Sequence, residues 1–329
     1  MLLSWNTTKR CNLFCQHCYR ESRIDADCTD ELTTEEGKRL IDDIAKAGFK
    51  ILIFSGGEPL LREDIFELID YAYSLKIIPA LGTNGILVTD EVAVKIKEHN
   101  IHAVSISLDS LNPGLHDMFR RSYGSHAQAI KGIDACLKVG IKVQINFTLT
   151  KKNIGELQDM IDFAESKSCA CFFFFLVNVG RGKEIYDYAL NKDEYKYAID
   201  FILSKSKEVS VELKPTCAPQ FMAEAFNKKI PMRYTRGCIA GISYCCVLPN
   251  GDVHICPYSP VKAGSIREQP FDDIWKNSEV FTRLRDFNNY KGKCNNCKHI
   301  NICGGCRARA FSHTDDYLEE DIYCSLEDK

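Results

Sequence analysis

Three cysteines, Cys11, Cys15 and Cys18, stand in the string Thr-Lys-Arg-Cys-Asn-Leu-Phe-Cys-Gln-His-Cys-Tyr, separated by three and then two residues. Thiolates this close on one loop can hold three irons of a 4Fe–4S cube and leave the fourth iron open to a ligand. A structural zinc site asks for four ligands, and His17, inside the short turn between Cys15 and Cys18, is too cramped to complete one. A second group lies at residues 53–61, Ile-Phe-Ser-Gly-Gly-Glu-Pro-Leu-Leu, an apolar strand ending in paired glycines and a carboxylate. Gly56 and Gly57 let the backbone approach a ligand closely. Glu58 supplies an anionic acceptor for an amine, and Pro59 follows it.

Together these strings resemble the radical S-adenosylmethionine (SAM) enzymes. The resemblance implies that Cys11, Cys15 and Cys18 hold a 4Fe–4S cluster whose free iron is chelated by SAM, with Gly56-Gly57-Glu58 fixing the SAM amine. It extends the SAM-binding set to His17, Pro59, Asn84, Ser107, Asp109, Arg120 and Asn146. Ser107 and Asp109 belong to the segment that approaches the SAM ribose and carboxylate in that family, and Arg120 closes a His-Asp-x-x-Arg run that can pair with the same carboxylate. Other readings exist for each: Asn84-Gly85 is also a good turn, and Ser107 or Asp109 could cap the following helix.

The elements that must position these groups are legible as a pattern. Short β-branched or aromatic runs at 3–7, 50–54, 78–82, 103–108, 142–148, 171–177 and 209–213 alternate with longer amphipathic stretches, as in repeated βα units around a parallel sheet. Thr33-Thr34-Glu35-Glu36 is a capping box opening a helix to about Ala47, and further helices are expected at 63–75, 90–98, 126–139 and 154–166. In such folds functional groups gather on loops at the C-terminal ends of strands, where both motifs fall. The fold class is α/β, a partial (β/α)6 TIM-like barrel of the radical SAM kind over residues 1–215, followed by a C-terminal cysteine-rich module at 216–329. The run Phe172 to Phe175 reads as barrel core.

With 329 residues, 45% hydrophobic and 26% charged, the chain has the balance of a globular protein, and its net charge of −3 makes no case for nucleic acid. Met-Leu-Leu-Ser-Trp-Asn lacks a basic region followed by a long apolar run, so neither a signal peptide nor a membrane span is indicated and a cytoplasmic location is expected. Seventeen cysteines in such a chain point to metal binding rather than disulfides.

Nine of these cysteines crowd the final third, where the pattern resembles the SPASM module of radical SAM enzymes: Cys238, Gly251, Cys256, Cys294, Cys297, Cys303, Cys306 and Cys324. Cys303 and Cys306 enclose two residues where the commonest form of that motif has three. Pro249-Asn250-Gly251-Asp252 signals a two-residue hairpin, and counting outward places Cys245 opposite Cys256, with Cβ atoms about 5 Å apart and Cys246 pointing the other way. The resemblance then implies two auxiliary iron–sulfur clusters, both of the 4Fe–4S type. Cys238, Cys245, Cys256 and Cys306 hold one, with Cys217 competing for the place of Cys245; Cys294, Cys297, Cys303 and Cys324 hold the other. All-cysteine zinc sites of similar spacing are the alternative. Cys28, Cys136, Cys169 and Cys171 read as ordinary buried thiols.

Among SPASM enzymes the chain resembles those that trim side chains of iron tetrapyrroles, the NirJ type of denitrifier haem synthesis and the enzymes of the siroheme-dependent haem pathway. The resemblance is carried by Ser4-Trp5-Asn6-Thr7-Thr8, Thr216-Cys217-Ala218-Pro219-Gln220, Arg236-Gly237-Cys238-Ile239-Ala240-Gly241, Ile266-Arg267-Glu268-Gln269-Pro270-Phe271, Cys303 to Ala310 and Tyr317-Leu318-Glu319-Glu320-Asp321. It implies reductive cleavage of SAM to a 5′-deoxyadenosyl radical, hydrogen abstraction from a propionate side chain, and an electron supplied by ferredoxin or flavodoxin. Carboxylates of such a substrate need cations, and Arg20, Arg23, Arg62, Arg181, Arg307 and Arg309 lie near the expected site loops. Competing readings are a maturase that crosslinks a ribosomal peptide, for which no peptide-binding segment precedes residue 11, and a non-catalytic iron–sulfur scaffold or electron carrier, which would not require the SAM-binding set.

Overall fold

The computed structural model describes residues 1–326 and is built on one curved sheet. Seven parallel strands, β1 (Leu2–Asn6), β2 (Ile51–Ser55), β3 (Ile78–Thr83), β4 (Ala103–Ser107), β5 (Lys142–Leu149), β6 (Ala170–Phe175) and β7 (Leu213–Thr216), lie side by side in chain order. Between them run α1 (Thr34–Lys46), α2 (Ile65–Ser74), α3 (Asp90–Glu98), α4 (Pro113–Arg120), α5 (Ser125–Lys138), α6 (Leu157–Ser166) and α7 (Lys192–Lys205). The capping box forms as read: Thr33 Oγ1 accepts from Glu36 N–H, and the Glu36 carboxylate accepts from Thr33 N–H.

Period-2 alternation sorts each strand into two faces. Leu3, Trp5, Leu52, Phe54, Val104, Ile106, Ile145, Phe147, Phe173 and Phe175 join the main core under the helices. Their neighbours Ser55, Ser105, Ser107, Gln144, Asn146, Phe172 and Phe174 are half-buried on the opposite, inner face. The aromatic run therefore divides: Phe173 and Phe175 are core, while Phe172 and Phe174 face inward.

The last parallel strand differs from the expected 209–213. Glu165, on the last turn of α6, accepts from Ser210 N–H at 3.1 Å and Val211 N–H at 3.2 Å, which occupies the donors of that segment and delays pairing until Leu213. Pro215 is tolerated because β7 is an edge strand.

The C-terminal module extends the same sheet. Its first strand, β8 (Tyr244–Val247), pairs in parallel with β1, then β9 (Asp252–His254) and β10 (Lys262–Ser265) follow antiparallel. The β8–β9 turn corrects the hairpin expectation. Leu248 N–H donates to Asp252 O at 2.8 Å, enclosing three residues, with Gly251 left-handed at φ +90°. The turn also docks on the barrel, where Leu32 N–H donates to Pro249 O at 2.7 Å. One extra loop residue shifts the pairing and exchanges the faces. Cys246 pairs with His254, so Cys245, beside Leu3, falls in the main core, and Cys246, beside Ser4, faces inward. Further contacts fasten the module to the barrel: Phe49 packs edge-on against Phe271 and Trp275, and Arg267 donates to Glu36 at 3.0 and 3.1 Å. Among the described residues no helix is long and apolar enough to cross a membrane.

Candidate functional site

The loop after β1 brings Cys11, Cys15 and Cys18 to the C-terminal edge of the sheet. Arg181 braces it, with Nε donating to Cys15 O at 2.9 Å, Nη2 to Ser22 O at 3.1 Å, and the guanidinium 3.9 Å over the Phe14 ring. The Gly56-Gly57-Glu58 segment runs alongside: Gly57 N–H donates to Thr8 O and Glu58 N–H to Arg10 O, both at 2.8 Å. A Cβ on Gly57 would stand 2.0 Å from Arg10 O. The close approach the glycines permit is thus first of all one between two chain segments, and it sets the cysteine loop against β2.

Glu58 is fully buried. Its carboxylate accepts from Thr83 Oγ1 at 2.8 Å, Asn84 N–H at 2.9 Å and Leu60 N–H at 3.3 Å. Burial pushes its pKa up to about 7 against these three donors, and among the described residues no cation pairs with it. Asn84 Nδ2 donates to Asn12 Oδ1 at 2.7 Å and reaches Cys11 Sγ at 3.8 Å, which joins Glu58, Asn84 and the first cysteine in one network. Asn12 was not singled out from the sequence; its place inside the cysteine loop is the signal that could have found it. Pro59 opens the 3₁₀ turn Pro59–Leu61, and Glu58 caps that turn.

A second network surrounds Cys15. Arg120 donates to Asp109 Oδ2 at 2.6 Å and to Cys15 Sγ at 3.6 Å. Burial alone would raise the Asp109 carboxyl; Arg120, with His17, His116 and Thr148 N–H, brings it down to about 2. The charge of Arg120, expected to meet a ligand carboxylate, is met here by Asp109. His17 stacks on Phe119 at 4.3 Å, burial pulls its pKa down to about 3, and its buried Nδ1 has no hydrogen-bond partner among the described residues. Ser107 and Asn146 lie deeper, side by side on the inner face of β4 and β5, where Asn146 Oδ1 accepts from Gln144 Nε2 at 2.6 Å.

None of the seventeen cysteines is paired in a disulfide among the described residues. In the C-terminal region two sets of four come together. Cys217, left-handed just after β7, packs with Cys306 and Cys256 in one buried cluster, and contact with Cys306, together with burial, raises its pKa. Cys306 and Cys238 are among the charges felt by Cys256. The structure thus gathers Cys217, Cys238, Cys256 and Cys306, whereas Cys245, with burial holding its thiol well above the ordinary range, sits in the core on the far face of β8. Cys294, Cys297, Cys303 and Cys324 line a cavity of about 550 Å³ together with Gln220 and Asp321. The buried Asp321 ties the two sets together: it pairs with Arg309 at 3.0 Å and accepts from Cys306 N–H at 2.8 Å and Gln220 Nε2 at 2.9 Å.

Nitrogen donors point at sulfur throughout. Besides Asn84 and Arg120, His299 N–H reaches Cys297 Sγ at 3.4 Å, Gly305 N–H reaches Cys303 Sγ at 3.5 Å and Arg307 Nη2 reaches Cys294 Sγ at 3.8 Å. Hydrogen bonds to sulfur steady cluster thiolates and tune their potential, so the residues present fit iron–sulfur clusters.

Most of the arginines offered as substrate cations are consumed by the fold. Arg62 binds Thr7 O, Leu32 O and Asp64; Arg181 braces the cysteine loop; Arg307 binds Gly305 O, Tyr317 O and Glu319 O; Arg309 pairs with Asp321. Arg23 is an exposed partner of Asp25. Arg20 donates from Nη2 to Pro257 O at 2.5 Å and its guanidinium acts on the Cys246 thiol, while its buried Nε has no hydrogen-bond partner among the described residues.

Comparison with known proteins gives the family. Residues 5–164 match the radical SAM superfamily, and residues 238–298 match the SPASM iron–sulfur cluster-binding domain. The AdoMet-dependent heme synthase of Methanosarcina barkeri is 39% identical over 336 residues, covering 98% of this chain and 95% of that protein. The Fe-coproporphyrin III synthase of the same organism is 32% identical, covering 98% and 85%. Streptococcus suis SuiB, solved with its precursor peptide SuiA, shares the fold at a TM-score of 0.77 and 19% identity, covering 99% of this chain and 76% of that one. SAM and iron–sulfur clusters are accordingly its cofactors, and the chain belongs to the radical SAM enzymes that carry a SPASM iron–sulfur domain, alongside the AdoMet-dependent heme synthases.

Proposed function

We propose that this protein removes carboxyl groups from propionate side chains of an iron porphyrin, with an iron coproporphyrin as substrate and haem as product. The observation that carries this reading is end-to-end similarity at 39% identity to a heme synthase, supported by the Fe-coproporphyrin III synthase at 32%. Haem differs from an iron coproporphyrin by two vinyl groups in place of two propionates. Each conversion loses one hydrogen atom, one carbon dioxide and one electron.

Bound SAM and its cluster supply hydrogen-atom abstraction from an unactivated carbon, chemistry that no acid or base of this chain could perform. The residues that would hold them are Cys11, Cys15 and Cys18 for the cluster, with Glu58 for the SAM amine. Glu58 suits the role because a buried carboxylate surrounded only by neutral donors is stabilised by a polar partner that arrives with the ligand. Asn84, Arg120 and Asp109 hold the cysteine loop and its surroundings in shape. His17, with its free buried Nδ1, and the inner-face pair Ser107 and Asn146 complete the proposed SAM-binding set.

The two auxiliary clusters would be held by Cys217, Cys238, Cys256 and Cys306, and by Cys294, Cys297, Cys303 and Cys324. Tyr19, directly after Cys18, packs with Tyr258, Cys217, Cys256 and Cys306 in one cluster, with the two tyrosine rings 4.7 Å apart. With that contact beside the cysteine loop, a cluster held by the first auxiliary set would supply an acceptor for the electron each decarboxylation leaves behind. A ferredoxin or flavodoxin in the cytoplasm supplies the reducing electron in this reading.

The test is anaerobic incubation of reconstituted protein with SAM, dithionite and iron coproporphyrin III, followed by mass spectrometry. Products lighter by one and then two units of formic acid, formed with 5′-deoxyadenosine, are expected. If the pigment neither binds nor stimulates SAM cleavage while a peptide does, the peptide-maturase reading replaces this one.

A further inference from the structure

With Arg62, Arg181, Arg307 and Arg309 engaged by carbonyls and carboxylates of the chain, a substrate bearing several carboxylates must find its cations elsewhere. The inner face of the sheet supplies one that the sequence did not single out. The pairing registers place Ser107 beside Asn146, Asn146 beside Phe172, and Phe172 beside Lys214, so these four residues form one row across β4, β5, β6 and β7. Lys214 is therefore on the inner face at the depth of the proposed SAM contacts. It is half-buried. Among the described residues its ammonium makes neither a hydrogen bond nor an ion pair; it lies 5.3 Å from the Phe172 ring centroid and 4.1 Å from that of Tyr234.

A lysine held away from water between aromatic faces, with Glu212 and Cys217 acting on it only through space, is incompletely compensated. Burial lowers its pKa, and Glu212, the carboxylate nearest in sequence, is hydrogen-bonded instead by the Tyr234 hydroxyl. A ligand carboxylate brought to this row would supply the missing charge, and the half-buried face of Phe172 beside it offers a flat apolar surface for a macrocycle.

We propose that Lys214 receives a carboxylate of the substrate inside the barrel and so selects acidic substrates over neutral ones. This rests on the reading of the protein as an enzyme acting on a carboxylate-bearing iron porphyrin. It adds a specificity-determining residue on β7, just ahead of the Thr216-Cys217-Ala218-Pro219-Gln220 string.

The experiment titrates reconstituted holoenzyme, wild type, Lys214→Met and Lys214→Arg, with iron coproporphyrin III by absorbance, and with SAM in parallel. Lys214→Met should raise the Kd for the pigment at least tenfold and leave SAM affinity and iron content unchanged, and Lys214→Arg should restore pigment binding to within about threefold. Unchanged pigment affinity in Lys214→Met overturns the assignment. A loss of SAM affinity instead overturns it in favour of a cofactor contact, and a loss of iron content in favour of a structural role. If the wild type ignores the pigment and responds to a peptide, the porphyrin reading fails separately. Lys214→Met is then scored on that peptide: weaker binding confined to peptides bearing Asp or Glu keeps the carboxylate assignment, and equal binding ends it. If wild-type protein binds neither ligand, both proposals fall.

Discussion

The two cysteine-bearing regions are assembled in opposite ways. In the barrel, the three cysteines sit within eight residues on one loop, and bonds to Arg181, Asn84 and Arg120 only refine a geometry that spacing has already imposed. In the C-terminal module, the first set draws on Cys217 at the end of β7, Cys238, Cys256 beyond β9 and Cys306 before the helix Arg307–Thr314, nearly ninety residues from first to last. Those thiols meet only if the strands pair in one register. A local motif tolerates error in everything around it; a set assembled at long range changes membership when a single turn residue is miscounted.

The largest expected effect falls on the local site. Changing Cys11, Cys15 and Cys18 together to Ala should abolish SAM cleavage and lower iron from about twelve to about eight per chain, because each cubane holds four. If all the iron is lost, the two regions are not independent and the contrast between them fails.

Next is the membership of the long-range set. Cys217→Ala should lower iron content or make one cluster oxygen-labile. Cys245→Ala should keep full iron and cost about 1 kcal/mol of stability, as expected for a small cavity at a fully buried core position. Iron analysis, electron paramagnetic resonance and denaturation read the two apart, and the reverse pattern would restore the two-residue hairpin.

Glu58→Gln sharpens the local side. It removes the buried negative charge and leaves the Gly56-Gly57 backbone in place, so SAM affinity should weaken by about 1.5–3 kcal/mol, roughly ten- to hundredfold, with iron content unchanged. Isothermal titration under anaerobic conditions measures it. Unaltered affinity would leave Glu58 as the cap of the turn that follows it and the tie between β2 and β3.

What could be read from the sequence follows the same division. The order of seven strands, the capping box at Thr33 and Glu36 and the cysteine triad all depend on residues close in the chain, and they stand where the pattern puts them. The β7 boundary did not, because a remote carboxylate, Glu165, takes the donors of Ser210 and Val211. Cys245 was placed on the wrong face because Asn-Gly scores as a two-residue turn unless the docking of Pro249 on Leu32 is known. Arg307 and Arg309 looked like substrate cations because nothing local reveals that Tyr317 O, Glu319 O and Asp321 wait for them across a turn. Lys214 was passed over for the related reason that its strand, expected at 209–213, stops one residue short of it, whereas β7 runs from Leu213 to Thr216.

The smallest effect concerns the joint between the regions, the Arg267–Glu36 pair at 3.0 Å. Hydrogen bonds from Arg267, helped by Thr33 N–H and opposed by slight burial, pull the Glu36 carboxyl down to about 2. A carboxyl lowered on folding contributes stability that is complete above its unfolded value, about 4.3, and is lost as pH falls toward 2. At pH 7 the contribution is therefore fully present, and pH changes between 6 and 8 should not move it. Its size is small because the Arg267 side chain is 38% exposed and solvent screens the pair. A double-mutant cycle of Glu36→Gln and Arg267→Ala at low salt should give a coupling of about 0.5–1 kcal/mol, shrinking in 1 M salt. The cycle is needed because Arg267 also donates to Glu31 O at 3.1 Å, a bond that Arg267→Ala alone would remove as well. Zero coupling at low salt would mean that the module is fastened by its shared sheet and by Phe271 and Trp275 against Phe49, with the ion pair contributing nothing.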